Sequence, residues 1–264
     1  MSPRGRAVPA RSRRGLWLCA AAMGLALIAG AGGCEGWRLR TLDPERAMSL
    51  AIDAVDGRDA GARWRLAAAA ELRNVAAMRL YASLLLHGSA AQQPRGLAWL
   101  ERAAASGDVH SLRLLGAVYE GLEAGAPQPD PALARNYYRR AAEAGDRDAG
   151  WMLARLLRNG SGGPADAAEA LLWTRIAAEV GQSDAMFALA NFYADGGDGL
   201  PPDEAQALLW YRRAAEKNQP EALQALGLAY TRGELGLPRD EQRGRELIAV
   251  SGEMSEHRYG GAHR

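Results

Sequence analysis

The sequence predicts an all-α protein, a solenoid of stacked helical pairs. Three observations predict it. First, an aromatic residue followed four positions later by Ala-Ala recurs: Trp99 with Ala103, Tyr137 with Ala141, Trp173 with Ala177 and Trp210 with Ala214. The alanines stand 38, 36 and 37 residues apart. Second, another signature interleaves with the first at the same period: a large residue, a small one, then a large residue and a glycine. It reads Tyr81-Ala82, Leu85, Gly88; Leu153-Ala154, Leu157, Gly160; Leu189-Ala190, Tyr193, Gly196; and Leu226-Gly227, Tyr230, Gly233. A looser copy holds Leu115-Gly116, Tyr119 and Gly121. Two interleaved signatures with one period of about 36 residues mark a helical repeat array. Third, the composition favours helix: Ala, Leu and Arg, all strong helix formers, are abundant, and only two residues are Phe.

Each period holds two helical stripes. In residues 184–217, helix A is expected from Asp184 to Ala194, with Ala185, Met186, Leu189, Ala190 and Tyr193 on one face. The glycines at 196 and 197 stop it, and Pro201-Pro202-Asp203 starts helix B, expected to run to Lys217. Helices whose axes approach to ~8–10 Å need small residues where their backbones cross. Ala82, Gly116, Ala154, Ala190 and Gly227 take that place on the A helices, and Gly96, Ala134, Ala170 and Ala207 on the B helices. Trp99, Tyr137, Trp173 and Trp210 are expected to fill the gaps between successive layers.

The segments Trp210-Tyr211-Arg212-Arg213-Ala214-Ala215-Glu216 and Ala222-x-x-x-Leu226-Gly227-x-x-Tyr230-x-x-Gly233 resemble the Sel-1-like repeat, a relative of the tetratricopeptide repeat. The resemblance covers 74–252 in five units: 75–108, 109–146, 147–182, 183–219 and 220–252. It implies a right-handed α/α superhelix that holds a protein or peptide on a concave face lined by the A helices. The last unit is worn, with Gly244, Leu247 and Ser251 in place of the helix B signature, as a terminal repeat tends to be. Residues 44–73, with Trp64 and Ala69-Ala70, read as an N-terminal helical cap, 34–43 as a short tether, and 253–264 as a flexible tail.

The amino terminus reads as an address. Five arginines and no acid occur in residues 1–33, and Arg13-Arg14 precede an apolar run from Gly15 to Ala31. A basic stretch before a short apolar segment is secretory-signal architecture. Its Arg pair also resembles a twin-arginine export signal. Ala31-Gly32-Gly33-Cys34 resembles a lipobox, with Ala31 where leucine is usual, and makes Cys34 the expected lipidation site. A single-span signal anchor or a plain cleaved signal remains open. The lipoprotein reading places the body in the periplasm at the outer membrane; the anchor reading places it at the inner membrane. Only Cys19 and Cys34 are cysteines, so the exported body has no thiol for a disulfide, a zinc site or a nucleophile.

Beyond residue 33 there are 27 basic and 31 acidic residues. That balance lacks the basic footprint of a nucleic-acid binder. No cofactor, metal site or catalytic residue is expected: the four histidines share no ligand spacing, and Lys217, the sole lysine, completes no Ser-x-x-Lys motif. A monomer is expected.

Offsets from the small crossing residues place Arg79, Arg113, Trp151 and Phe187 three before them. Arg155 and Asn191 stand one after, and Arg158 four after. Arginine forks suit carboxylates and open aromatics anchor partners, so these seven are the candidate ligand-binding residues, for an acidic segment with an apolar anchor. The competing reading is that the arginines are generic surface cations and that Trp151 and Phe187 belong to the core. Function is accordingly expected to be non-catalytic: a protein-interaction scaffold of the cell envelope. The alternatives are a hydrolase of β-lactams or peptidoglycan, or an inhibitor conferring immunity to a secreted toxin.

Overall fold

The computed structural model describes residues 34–59, 61–123, 128–197 and 200–259. Residues 1–33 and 260–264 lie outside the described residues, and so do the expectations placed on them. Among the described residues there are thirteen α-helices and no strand. They are α1 (Cys34–Arg40), α2 (Pro44–Asp56), α3 (Ala62–Glu71), α4 (Val75–Leu86), α5 (Gln93–Ala105), α6 (Val109–Glu120), α7 (Pro131–Glu143), α8 (Arg147–Asn159), α9 (Ala167–Glu179), α10 (Ser183–Asp195), α11 (Glu204–Glu216), α12 (Pro220–Arg232) and α13 (Glu241–Tyr259). The chain divides into two compact units at Leu85 and Leu86.

In the first unit α1 and α2 both pack on α3. The segment expected to be a tether therefore opens with a helix. Leu39 gives that helix a buried residue. Asn74 holds the carbonyls that follow: its Nδ2 donates to the Arg40 oxygen at 3.2 Å and to the Leu42 oxygen at 2.8 Å. Its Oδ1 accepts from the Ala77 nitrogen at 2.9 Å and so caps α4.

In the second unit every helix packs on the next, from α5 through α13. The caps explain why the elements break where they do. Asp108, Asp130, Asp146, Asp166 and Asp203 are the N-caps of α6, α7, α8, α9 and α11, each accepting a backbone N–H from its own first turn. Gln182 and Gln219 do the same for α10 and α12. The glycine of the second signature closes helix A in left-handed conformation, with φ of 84°, 68°, 72° and 72° at Gly121, Gly160, Gly196 and Gly233. The carbonyl of the large residue two or three before that glycine then accepts a bond. Asp130, Asp166, Asp203 and Asp240 donate their backbone N–H to the carbonyls of Tyr119, Leu157, Tyr193 and Tyr230 at 2.7, 3.0, 2.7 and 2.7 Å. These four hairpins are thus fastened in the same way.

Ala82, Ala154 and Ala190 are buried, as are Gly96, Ala134, Ala170 and Ala207 on the partner helices. At the last pair the fit is close: a Cβ on Gly227 would meet the Gly244 carbonyl at 2.8 Å and Ile248 at 2.7 Å. Residues 253–259, expected to begin a flexible tail, continue α13. Ser251 Oγ donates to the Pro220 carbonyl at 2.8 Å and holds that helix against α12.

The signature aromatics are not equivalent in burial. Trp99 and Trp210 are buried, whereas Tyr137 and Trp173 are half-buried. The next position along, occupied by Leu100, Tyr138, Thr174 and Tyr211, is buried in all four. Residue i+1 turns by about 100° around the helix, and there Tyr138 packs on Gly116 of its own hairpin, while Tyr137 stacks on Tyr119 of that same hairpin at 5.6 Å.

Candidate functional site

Helices α6, α8, α10 and α12 are the A helices of the second unit, and side chains link each to the following repeat. Arg113 on α6 donates from Nε to Asp146, the N-cap of α8, at 3.2 Å. His110 Nδ1 stands 3.8 Å from the same carboxylate. Arg155 on α8 reaches back to Glu120 on α6. Arg158 on α8 lies over the Phe192 ring of α10 at 4.7 Å. Gln219, the N-cap of α12, donates to Asp184 of α10 at 3.3 Å. These bonds set the A helices side by side and make one continuous face.

On that face Arg113, Trp151, Arg155, Phe187 and Asn191 are half-buried, and Arg158 is exposed. The structure brings these six together on α6, α8 and α10. Arg79 lies on α4 in the first unit, also half-buried. Gly116, Ala154, Ala190 and Gly227 stand beneath the face at the helix crossings, and Ala82 holds the corresponding place on α4.

Two of the candidate arginines have internal carboxylates as partners. Glu120 is the hub of one set: Oε1 accepts from Arg155, and Oε2 accepts the Tyr138 hydroxyl at 2.9 Å. Burial, and then the negative charge of Glu120, push the Tyr138 hydroxyl well above its ordinary pKa. Asp146 is the hub of the other, with a side chain only 7% exposed between its capping bond, Arg113 and His110. Sequence spacing put arginines here but not their pairing. The signal that could have found it is the register: Glu120 stands four past its crossing residue, and Arg155 stands one past the next.

Trp151 and Phe187 take both of the roles the sequence left open. They pack against the buried cluster around Met186, Leu189, Trp210 and Tyr211, yet keep part of their surface open. The Phe187 ring stands 5.9 Å from that of Tyr211 at 51°. The Tyr211 hydroxyl donates to Asn191 Oδ1 at 2.5 Å, which fixes the amide and leaves its NH2 group as a donor. Burial, and then the charge of Asp195, push that hydroxyl up to about 12. The hydroxyls of Tyr138 and Tyr211 were not anticipated from the sequence; both follow a signature aromatic directly.

Among the described residues no group of three or more His, Cys, Asp or Glu side chains is placed to hold a metal ion. Cys34 is the first residue of α1. No described helix is long and apolar enough to cross a membrane.

Fold and face together define a helical-repeat scaffold. The Sel1 repeat model matches residues 75–108, 109–146, 148–182, 183–219 and 220–249, and the chain belongs to the Sel1 repeat family. That fold is commonly a protein-interaction scaffold and typically non-catalytic. A Sel1 repeat protein from Oxalobacter formigenes is similar with 23% identity and a TM-score of 0.65, over 88% of this chain and 96% of that one. A protective antigen present in uropathogenic Escherichia coli strains, displaying an SLR fold, is similar with 21% identity and a TM-score of 0.66. The alignment covers 91% of this chain and 54% of the antigen. At these identities the likeness concerns the fold. No curated protein matches the sequence.

Proposed function

We propose that the chain is a non-catalytic scaffold of the bacterial cell envelope that holds a segment of another protein on the face formed by α6, α8 and α10. The observation that carries this is the row of Trp151, Phe187 and Asn191, half-open and fixed from below, beside exposed Arg158. A rigid aromatic with one open side binds a partner at little entropic cost. Because Glu120 and Asp146 already compensate Arg155 and Arg113, the face suits an extended segment with an apolar anchor. It is less suited to a densely acidic one.

The amino-terminal sequence supports envelope placement, with the body in the periplasm and Cys34 as the lipid acceptor that holds it to the outer membrane. A signal anchor in the inner membrane would leave the body in the same compartment. A monomeric repeat unit is sufficient for the binding face.

Site-specific photo-crosslinking in cells tests the reading. Probes at Trp151, Phe187 and Arg158 are expected to trap one protein partner, and a probe at exposed Arg175 on α9 is not. Equal trapping at all four sites, or turnover of β-lactams or peptidoglycan fragments by the purified protein, would replace the scaffold reading. Acyl labelling of wild type against Cys34→Ala tests the anchor separately: equal release from membranes means that Cys34 is not its attachment point.

A further inference from the structure

The first unit is unusually open in its apolar side chains. Trp37, Met48, Ile52, Val55 and Trp64, five of the thirteen exposed large apolar side chains among the described residues, fall within residues 37–64. Trp37 is 66% exposed and Trp64 50%, whereas Trp99 and Trp210 are buried. Met48, Ile52 and Val55 follow helical spacing and form one stripe on α2, beside the face that buries Ala47 and Ala51. A soluble surface does not ordinarily concentrate apolar side chains in this way.

The chain that precedes this unit says what covers it. The apolar run from Gly15 ends at Gly33, and α1 starts at the next residue. A lipid on Cys34 and an uncleaved span both deliver residue 34 to the membrane surface. At 1.5 Å per residue, Trp37 stands only about 4.5 Å further along the helix axis. Tryptophan prefers the depth of the lipid headgroups. Helix α1 carries Arg38 and Arg40 against one acid, Glu35, and both arginines are exposed. Arginine beside a bilayer is drawn to anionic headgroups. Glu45 and Asp56 flank the α2 stripe, so its contribution is apolar, and the electrostatic attraction comes from α1.

We propose that the first unit is a membrane-docking module. Trp37, Trp64 and the Met48–Ile52–Val55 stripe insert into the headgroup layer of an anionic phospholipid surface, with Arg38 and Arg40 against the phosphates. This rests on the anchoring reading above and adds to it: the anchor holds the chain to the bilayer, and the unit lies on the bilayer rather than hanging free of it. No described helix spans a membrane, so the contact is interfacial.

The test uses the full chain, purified from membranes and reconstituted into phosphatidylethanolamine–phosphatidylglycerol vesicles. The lipids carry bromine near the headgroup end of their acyl chains, where it quenches nearby tryptophans. Flotation reads anchoring and quenching reads docking. Wild type is expected to float and to be quenched, and most of that quenching is lost in Trp37→Phe/Trp64→Phe. The triple variant Met48→Ser/Ile52→Ser/Val55→Ser changes exposed positions only; it is expected to keep its helical circular dichroism while losing quenching. A chain that floats with equal quenching in all three forms overturns the docking and leaves anchoring intact, as does a chain that floats unquenched. A chain that does not float overturns both.

Discussion

A Cβ built on Gly116 would stand 2.6 Å from the ring of Tyr138. The missing side chain on α6 is what admits the tyrosine on α7, and Tyr138 is among the largest fully buried side chains of the protein. At the corresponding places of the register the third repeat has Ala154 and buried Thr174, and the fourth Ala190 and buried Tyr211. Gly116→Ala is therefore expected to destabilise the second unit by ~1–3 kcal/mol through overpacking. Adding Tyr138→Thr copies the third repeat and should make the alanine nearly free of cost in that background. Urea titrations of the two single variants and the double variant measure this coupling; strictly additive losses would show that the two residues do not share the space.

Asp146 makes three contacts. It caps α8 through the Ala149 nitrogen at 2.9 Å, takes Arg113, and faces His110. Asp203 caps α11 in the same way from an exposed position. Asp203→Ala should cost about 1 kcal/mol, the value of a cap. Asp146→Ala should cost more, by roughly 1.5–3 kcal/mol, because a hydrogen bond to a charged partner is lost from a buried site. Thermal unfolding of the two variants side by side gives the comparison, and equal losses would mean that Arg113 contributes nothing through Asp146. The same geometry changes how the face is probed. Charge reversal at Arg113 or Arg155 sets like charges beside Asp146 or Glu120, so it perturbs folding before it reports on a ligand.

How far the sequence carries this architecture depends on the range of the interaction involved. Helix α10 is expected from Asp184 to Ala194 and observed from Ser183 to Asp195; α11 is expected from Asp203 to Lys217 and observed from Glu204 to Glu216, with Asp203 as its cap. Those limits are written in local chemistry: a glycine that can adopt positive φ, and a capping side chain at the start of a turn. The small crossing residues are equally legible, because the period repeats them. The Arg155–Glu120 and Arg113–Asp146 pairs join residues 35 and 33 apart in sequence. They follow only when the register of one repeat is laid on the next. Helix α1 was not legible, since Leu39 is buried only once α3 is beside it and the carbonyls of Arg40 and Leu42 wait on Asn74. The signature aromatics misled in a smaller way: their prominence drew attention from the neighbouring position that is enclosed in every repeat from Leu100 to Tyr211.

That difference in burial ranks two tryptophans. Trp210 is buried in the cluster with Met186, Leu189 and Tyr211. Trp173 is half-buried and spends its Nε1 on Glu169 at 3.2 Å, a carboxylate that also receives Arg139 at 2.8 and 2.7 Å. Trp210→Ala is expected to cost ~3–5 kcal/mol, and Trp173→Ala less than about 3 kcal/mol, since the cost follows the volume vacated inside the core. Midpoints in urea settle the order. Equal midpoints would mean that Trp173 is held as firmly as its counterpart.

The buried hydroxyls make the fold sensitive to alkali. Tyr211 loses its proton ordinarily near 10.0, but burial, assisted by the charge of Asp195, pushes it up to about 12 in the folded chain. Below pH 10 the phenol is neutral in both states and contributes no pH dependence. Between 10 and about 12 the unfolded tyrosine ionises while the folded one keeps its proton. The folded state then binds more protons, so stability falls as pH rises through that window. Tyr138 is raised as well, by burial and then by Glu120, and adds to the same slope. Tyr211→Phe removes one ionisation along with the bond to Asn191. It should be less stable than wild type at neutral pH and lose stability less steeply above pH 10. Melting temperatures at stepped pH measure both, and parallel curves for wild type and variant across the alkaline range would show that this hydroxyl is not held protonated by the fold.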